Sequence, residues 1–256
     1  MCYDDDSRPP IPPIAGGALD SADLVLTAAD GNRFRAFRAR PAGPTGAAVI
    51  VLPDVRGLHH YYEELVLRFA EAGIEALAID YFGRTAGVDR HPDGWQHMPH
   101  VAQTTFPGQA ADITAAAAEL RSARGDAPAR LFTAGFCFGG RLSFLCATLG
   151  LDLAGVIGFY GVPRGSSPND MPEPIALAGR MQAPVLGLFG GDDPGIPADS
   201  IEAFEAALAG AGVDHRIVTY EGAPHSFFDR KAEAFASESQ AAWQEVLDFI
   251  ERGRDG

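Results

Sequence analysis

Gly135-Phe136-Cys137-Phe138-Gly139-Gly140 is the stretch that decides the fold. An apolar run, Leu131-Phe132-Thr133-Ala134, leads straight into it, and a helical pattern begins immediately afterwards. A nucleophile held on a sharp strand-to-helix turn needs glycines two residues before and two after it, because the backbone on either side packs too closely for a Cβ. Gly135 and Gly139 stand at those positions, and Cys137 stands where the usual serine would. The helix that follows points its N-terminus at the thiol. The partial positive charge of that end favours a thiolate, and its unpaired N–H groups supply an oxyanion donor. A glycine-flanked cysteine alone reads equally well as a buried structural residue, so the rest of a triad has to be found downstream.

Outward from this elbow, strand and helix patterns alternate without internal repeats. Towards the N-terminus, residues 23–40 alternate in polarity around Asp30-Gly31, an edge hairpin with its turn at that pair. Residues 47–52 are a continuous apolar run of the kind buried on both faces of a sheet, followed by the loop Pro53-Asp54-Val55-Arg56-Gly57. A helix over 61–71 closes at Gly73, and a strand over 74–80 ends in Tyr81-Phe82-Gly83-Arg84. Residues 82–106 are long, irregular and rich in Gly, Pro and His, which predicts a cap or pocket wall. Pro107 opens an alanine-rich helix to about residue 123; strand 130–136 and helix 138–149 then flank the elbow. Strands over 155–160, 185–190 and 215–220 and helices over 200–211 and 231–251 complete the chain. This order predicts an α/β fold with a mainly parallel central sheet and helices on both faces, whose ligands lie at the carboxyl ends of the strands.

Two loops at such strand ends carry the missing groups. After strand 185–190 comes Gly190-Gly191-Asp192-Asp193-Pro194-Gly195-Ile196-Pro197, and after strand 215–220 comes Glu221-Gly222-Ala223-Pro224-His225-Ser226-Phe227-Phe228. Cys137, an acid and His225 therefore follow one another in the order nucleophile, acid, histidine. The histidine takes the thiol proton and later gives one to the leaving group, the acid fixes its tautomer, and the Phe138 N–H helps to hold the oxyanion. Tyr160, at another strand's carboxyl end, reads equally as pocket lining or as core.

Composition narrows the function classes. With 256 residues and 46% hydrophobic content the chain can bury a full core, and 21–256 is expected to be one domain behind an acidic, then proline-rich arm over 1–20. The formal charge of −14 argues against nucleic acid and against an anionic membrane surface as partners, and an anionic substrate would need local arginines. The acidic N-terminus is the reverse of a signal peptide and no stretch approaches a membrane span, so a cytoplasmic protein is expected. Three cysteines make no disulfide framework. Cys146 falls on the far side of the Cys137 helix, about 13 Å along its axis, and reads as core. His59, His60, His91, His97 and His100 match no metal-ligand spacing, so no metal and no cofactor is expected.

Together, the G-F-C-F-G-G elbow, the G-G-D-D-P-G-I-P loop and the G-A-P-H-S-F segment resemble the dienelactone hydrolase family, cysteine enzymes of α/β-hydrolase fold, over roughly residues 24–250. The resemblance implies cofactor-independent hydrolysis of an enol-lactone in the degradation of aromatic compounds, with a triad of Cys137, Asp193 and His225. The offset to Ile196-Pro197 selects Asp193 over Asp192. It also implies a further acid at Asp54, a second oxyanion N–H at Val55 and a carboxylate-gripping arginine at Arg84. Two positions differ from the family pattern: Asp54 replaces a glutamate, and Asp229 stands where a second arginine is expected, with Arg230 next to it. The implied partner is a small lactone or ester; the oligomeric state is left open. Two other readings are a broader ester or thioester hydrolase on the same fold, and a non-catalytic or redox-sensing protein in which Cys137 is oxidised or holds a ligand.

Overall fold

The computed structural model describes residues 7–14, 19–122 and 130–253. Eight strands form one sheet in the order β1-β2-β4-β3-β5-β6-β7-β8. Strands β1 (Leu19–Thr27) and β2 (Arg33–Pro41) make the antiparallel hairpin, and β2 also runs antiparallel to β4 (Glu75–Ile79). The remaining pairs, through β3 (Ala47–Leu52), β5 (Arg130–Phe136), β6 (Gly155–Phe159), β7 (Val185–Gly190) and β8 (His215–Tyr220), are all parallel. The expected mainly parallel sheet is therefore present.

Every residue of β3, β4, β6 and β7 is buried, as apolar runs require of strands covered on both faces; the one charged member, Glu75 at the start of β4, is paired with Arg40. The covering helices are α1 (His60–Glu71), α4 (Phe106–Ser122), α5 (Phe138–Cys146), α6 (Ala198–Gly210) and α7 (Ala236–Arg252). Their sides can be read from β2: Arg35 pairs with Glu63 on α1, and Arg38 pairs with Glu119 on α4. An odd spacing along a strand puts two side chains on opposite faces, so α1 and α4 flank the sheet from opposite sides. Phe69 of α1 packs edge-on against Trp243 of α7, and Phe144 of α5 meets Phe204 of α6.

Several boundaries depart from the sequence reading. The stretch 82–106 contains two single-turn helices, α2 (Gly83–Ala86) and α3 (Met98–Val101), and is tied down by aromatic packing. His91 stacks on Trp95 with ring centres 3.7 Å apart, and Phe82 and His100 close around the same indole. Helix α7 starts at Ala236 rather than at residue 231. Residues 226–235 are turns held by Lys231 N–H to the Ser226 carbonyl and Ala232 N–H to the Asp229 carbonyl. A short 3-10 helix, Pro174–Arg180, adds to the elements expected from the sequence. The described part of the arm lies along α1, where Ile14 N–H donates to Glu71 at 3.1 Å and Arg8 pairs with Glu64 at 3.5 Å; residues 1–6 and 15–18 of the expected arm lie outside the described residues. Among the described residues no helix is long and apolar enough to cross a membrane.

Candidate active site

Strands β3, β5, β7 and β8 run parallel, so the loops carrying Asp54, Cys137, Asp193 and His225 all emerge at the same edge of the sheet. Cys137 sits between β5 and α5 with φ 56° and ψ −111°, a region that costs a non-glycine residue about 1–3 kcal/mol and that surrounding packing must enforce. The enforcement is backbone on backbone. A Cβ on Gly135 would lie 1.9 Å from the Gly139 carbonyl oxygen, and a Cβ on Gly139 would lie 2.1 Å from the Leu52 oxygen and 2.3 Å from the Pro53 oxygen. The glycines expected at the elbow are thus sterically required. The second contact also sets the β3 loop, with Asp54 and Val55, hard against the start of α5.

His225 and Asp193 meet directly, Nδ1 to Oδ2 at 2.6 Å. Two backbone approaches hold their loops together: Asp192 N–H donates to the Ala223 carbonyl at 2.9 Å, and a Cβ on Gly190 would lie 2.4 Å from the same oxygen. The second carboxylate oxygen of Asp193 accepts the Gly195 N–H at 2.8 Å, which fixes the acid's rotamer inside its own turn. This contact fixes Nδ1 as the imidazole nitrogen that faces the acid. Phe138 occupies the first turn of α5, where its N–H has no helical carbonyl to bond. Val55 is half-buried in the facing loop.

Asp54 is fully buried, and its Oδ1 accepts the Arg56 N–H at 2.8 Å, shaping the loop. Two tyrosines that sequence reasoning did not single out hold this loop: Tyr62 Oη accepts the Asp54 N–H at 3.0 Å, and Tyr81 donates to the Pro53 carbonyl at 2.7 Å. Burial pushes the Tyr81 phenol well above its usual range, and the nearby Asp54 and the cysteines add to that direction. Tyr61 similarly donates to the Phe228 carbonyl at 3.0 Å, anchoring the histidine loop from α1. A tyrosine pair just after the Asp54 loop was the available signal.

Tyr160 lies in the core beside His225. It leaves β6 with φ 38°, is wholly buried, lies 4.9 Å from the His225 ring and donates its hydroxyl to Asp229 Oδ2 at 2.7 Å. Asp229 also accepts the Arg230 N–H. Burial pushes the Asp229 carboxyl up to about 7, with Asp54 acting in the same direction while the Tyr160 hydrogen bond, the backbone bond and His225 oppose it. The Arg230 side chain is exposed. The Arg84 guanidinium donates to Asp112 at 2.5 Å and to Asp30 at 2.6 Å, tying α2 to α4 and to the hairpin turn. Its charge is paired with two carboxylates.

Burial alone pushes the Cys146 thiol upward, out of reactive range. Among the described residues no group of three or more His, Cys, Asp and Glu could hold a metal ion. His91 is engaged instead with Asp80 at 3.0 Å.

Comparison with known proteins identifies the family. The model of the dienelactone hydrolase family matches residues 34–253. A Salmonella typhimurium protein named "Putative carboxymethylenebutenolidase" is 31% identical over 243 residues, covering 91% of this chain and 88% of its own. A protein of the same name from Methylorubrum extorquens is 32% identical over 219 residues, covering 84% and 75%. The crystal structure of a "Putative Dienelactone Hydrolase" from Klebsiella pneumoniae superposes with a TM-score of 0.79 at 28% identity, covering 91% of this chain and 99% of that one. The fold is therefore the α/β-hydrolase fold, and the chain belongs to the dienelactone hydrolase family, a hydrolase of ester bonds.

Proposed function

We propose that this chain is a cysteine-dependent hydrolase that opens lactones through an acyl-enzyme on Cys137. The observation that carries the reading is the 2.6 Å His225–Asp193 hydrogen bond at the same sheet edge as the strained Cys137. In the acylation step Cys137 Sγ attacks the lactone carbonyl while His225 Nε2 takes the thiol proton, and Asp193 stabilises the imidazolium that forms. The N–H groups of Phe138 and Val55 hold the oxyanion. Collapse of the tetrahedral species breaks the ring C–O bond, and the imidazolium protonates the departing oxygen, leaving a thioester. Water, deprotonated by His225, then cleaves the thioester and restores the thiol. The sum is lactone plus water to the ring-opened acid, with no cofactor. Asp54 is assigned to the resting enzyme, as a carboxylate that accepts the Cys137 S–H and holds the thiol protonated until substrate arrives and His225 takes the proton.

Two tests apply. Native protein should turn over at least one class in a panel of butenolides, saturated lactones and aryl esters, and brief mixing followed by acid quench should trap an acyl mass on the peptide that contains Cys137. Cys137→Ala should abolish both. Turnover retained in Cys137→Ala would overturn the proposal. Equal efficiency on lactones and simple aryl esters would replace it with the broader esterase reading.

A further inference from the structure

One hydrogen bond fixes a point on an imidazole, not its plane. By itself the 2.6 Å contact from Asp193 would let the His225 ring turn about Nδ1, and a base that turns spends part of its time misaligned with the group it serves. A second contact comes from the end of β6. The Tyr160 ring centre lies 4.9 Å from that of His225 at an interplanar angle of 53°, so the phenol packs against the imidazole separately from the acid's hydrogen bond.

The tyrosine is held at both ends. Its backbone leaves β6 at φ 38°, a left-handed conformation that costs a non-glycine residue about 1–3 kcal/mol and persists only where the surroundings enforce it. Its N–H donates to the Leu188 carbonyl of β7 at 2.7 Å, and its hydroxyl donates to Asp229 Oδ2 at 2.7 Å. Asp229 is 3% exposed and stands four residues after His225 in the same turn, where its N–H bonds to the Ser226 carbonyl at 3.3 Å. Two further bonds pin that turn: Tyr61 donates to the Phe228 carbonyl and Ser239 to the Phe227 carbonyl, both at 3.0 Å. Asp229 is therefore a fixed post for the phenol. The path from histidine through turn, acid and phenol returns to the histidine ring.

Resting on the reading of His225 as the base that serves Cys137, we propose that Tyr160 and Asp229 are a pair of positioning residues: the Asp229 side chain sets the phenol, and the phenol sets the tilt of the His225 ring. Neither touches the reacting atoms in this role. The pair requires of position 229 a buried hydrogen-bond partner for the hydroxyl, in either protonation state, so an amide should serve there and a methyl group should not.

The test uses Tyr160→Phe, which keeps the ring and removes the hydroxyl, Asp229→Ala, the double variant, and Asp229→Asn. Turnover is measured on the best substrate of the panel, and the rate at which iodoacetamide labels Cys137 is followed against pH, with the site read by peptide mass. Tyr160→Phe and Asp229→Ala should each lower kcat about tenfold with KM within about twofold of native, the double variant should fall no more than about twofold below the poorer single, and Asp229→Asn should stay within about threefold of native. The midpoint of the labelling profile should rise by about half a pH unit or more in Tyr160→Phe, because a thiol less well served by its base ionises nearer its own range of about 8.5. A role confined to stability would lower the unfolding midpoint while kcat per labelled Cys137 and the labelling midpoint stayed native, and that result overturns the proposal. Additive losses in the double variant overturn it as well. If Asp229→Ala does not fold, Tyr160→Phe alone decides by the same criteria. Absence of labelling at Cys137 in the native protein would instead overturn the nucleophile reading, and this proposal with it.

Discussion

His225 Nδ1 and Asp193 Oδ2 meet at 2.6 Å although they leave from different strands, and the contact is made possible by Gly190, whose missing side chain lets the two loops touch through their backbones. In the proposed mechanism the carboxylate therefore fixes which imidazole nitrogen is presented to the thiol. Asp193→Asn keeps an oxygen for the Gly195 N–H but presents an amide to the ring. Turnover should fall by about 10²–10⁴-fold, with KM much less affected. Steady-state kinetics on the best substrate of the panel decides this, and a loss under threefold would remove Asp193 from the triad.

The steric reading of the elbow makes a prediction about stability. A Cβ on Gly139 would meet backbone oxygens of Leu52 and Pro53 that cannot rotate away, whereas a Cβ on Gly210, at the end of α6, would meet nothing within 4 Å. Gly139→Ala should lose about 1–3 kcal/mol or more, and Gly210→Ala should gain about 0.4–1 kcal/mol by restricting the unfolded chain. Urea unfolding of the two variants beside the native protein reads both signs. A neutral Gly139→Ala would show that the β3 loop yields to the elbow.

What the sequence makes legible, and what it hides, divides along the range of the interaction. The elbow, the D-G hairpin and the buried strands follow from local pattern, and the positions of Cys137, Asp193 and His225 follow from loops at strand ends. Arg84 is different. Its partners Asp112 and Asp30 are 28 and 54 residues away, so nothing in the Tyr81-Phe82-Gly83-Arg84 run shows that the guanidinium is already engaged. Asp229 is hidden for the same reason, since Tyr160, its hydrogen-bond donor, is 69 residues distant. The start of α7 is misread because residues 231–235 are compatible with a helix by composition, while the turn built on Ser226, with φ 63°, holds them otherwise.

Burial of Asp229 also makes a prediction about pH. The carboxyl is raised from 3.8 to about 7 in the folded chain, so between those values the native state holds a proton that the unfolded state has released. Stability contributed through this group is therefore full below about pH 4, declines as pH rises, and levels off above about pH 7. The loss approaches a few kcal/mol in order of magnitude, at about 1.4 kcal/mol for each pH unit between the two values. Asp229→Asn removes the titration. The stability difference between variant and native protein should move in the variant's favour from pH 5 to pH 8, measured by denaturant unfolding at both. A difference that does not change with pH would place the Asp229 carboxyl in its ordinary range.

The proposed role of Asp54 towards the thiol can be separated from its role in shaping the loop. Oδ1 accepts the Arg56 N–H and shapes the loop that faces the elbow. The carboxylate charge is what the proposed hold on the resting thiol requires, because an ionised acid accepts the Cys137 S–H more strongly than an amide oxygen does. Asp54→Asn preserves the acceptor at Oδ1 and removes the charge, so the fold should stand, by circular dichroism and unfolding midpoint, while kcat falls about tenfold or more. Asp54→Glu keeps the charge on a side chain one methylene longer. The longer acid should hold the resting thiol more closely, slow its reaction with iodoacetamide severalfold in the absence of substrate, and narrow the range of acyl compounds accepted. If both variants matched the native protein in turnover and in alkylation rate, Asp54 would be left as a loop-shaping residue, and His225 alone would govern the thiol.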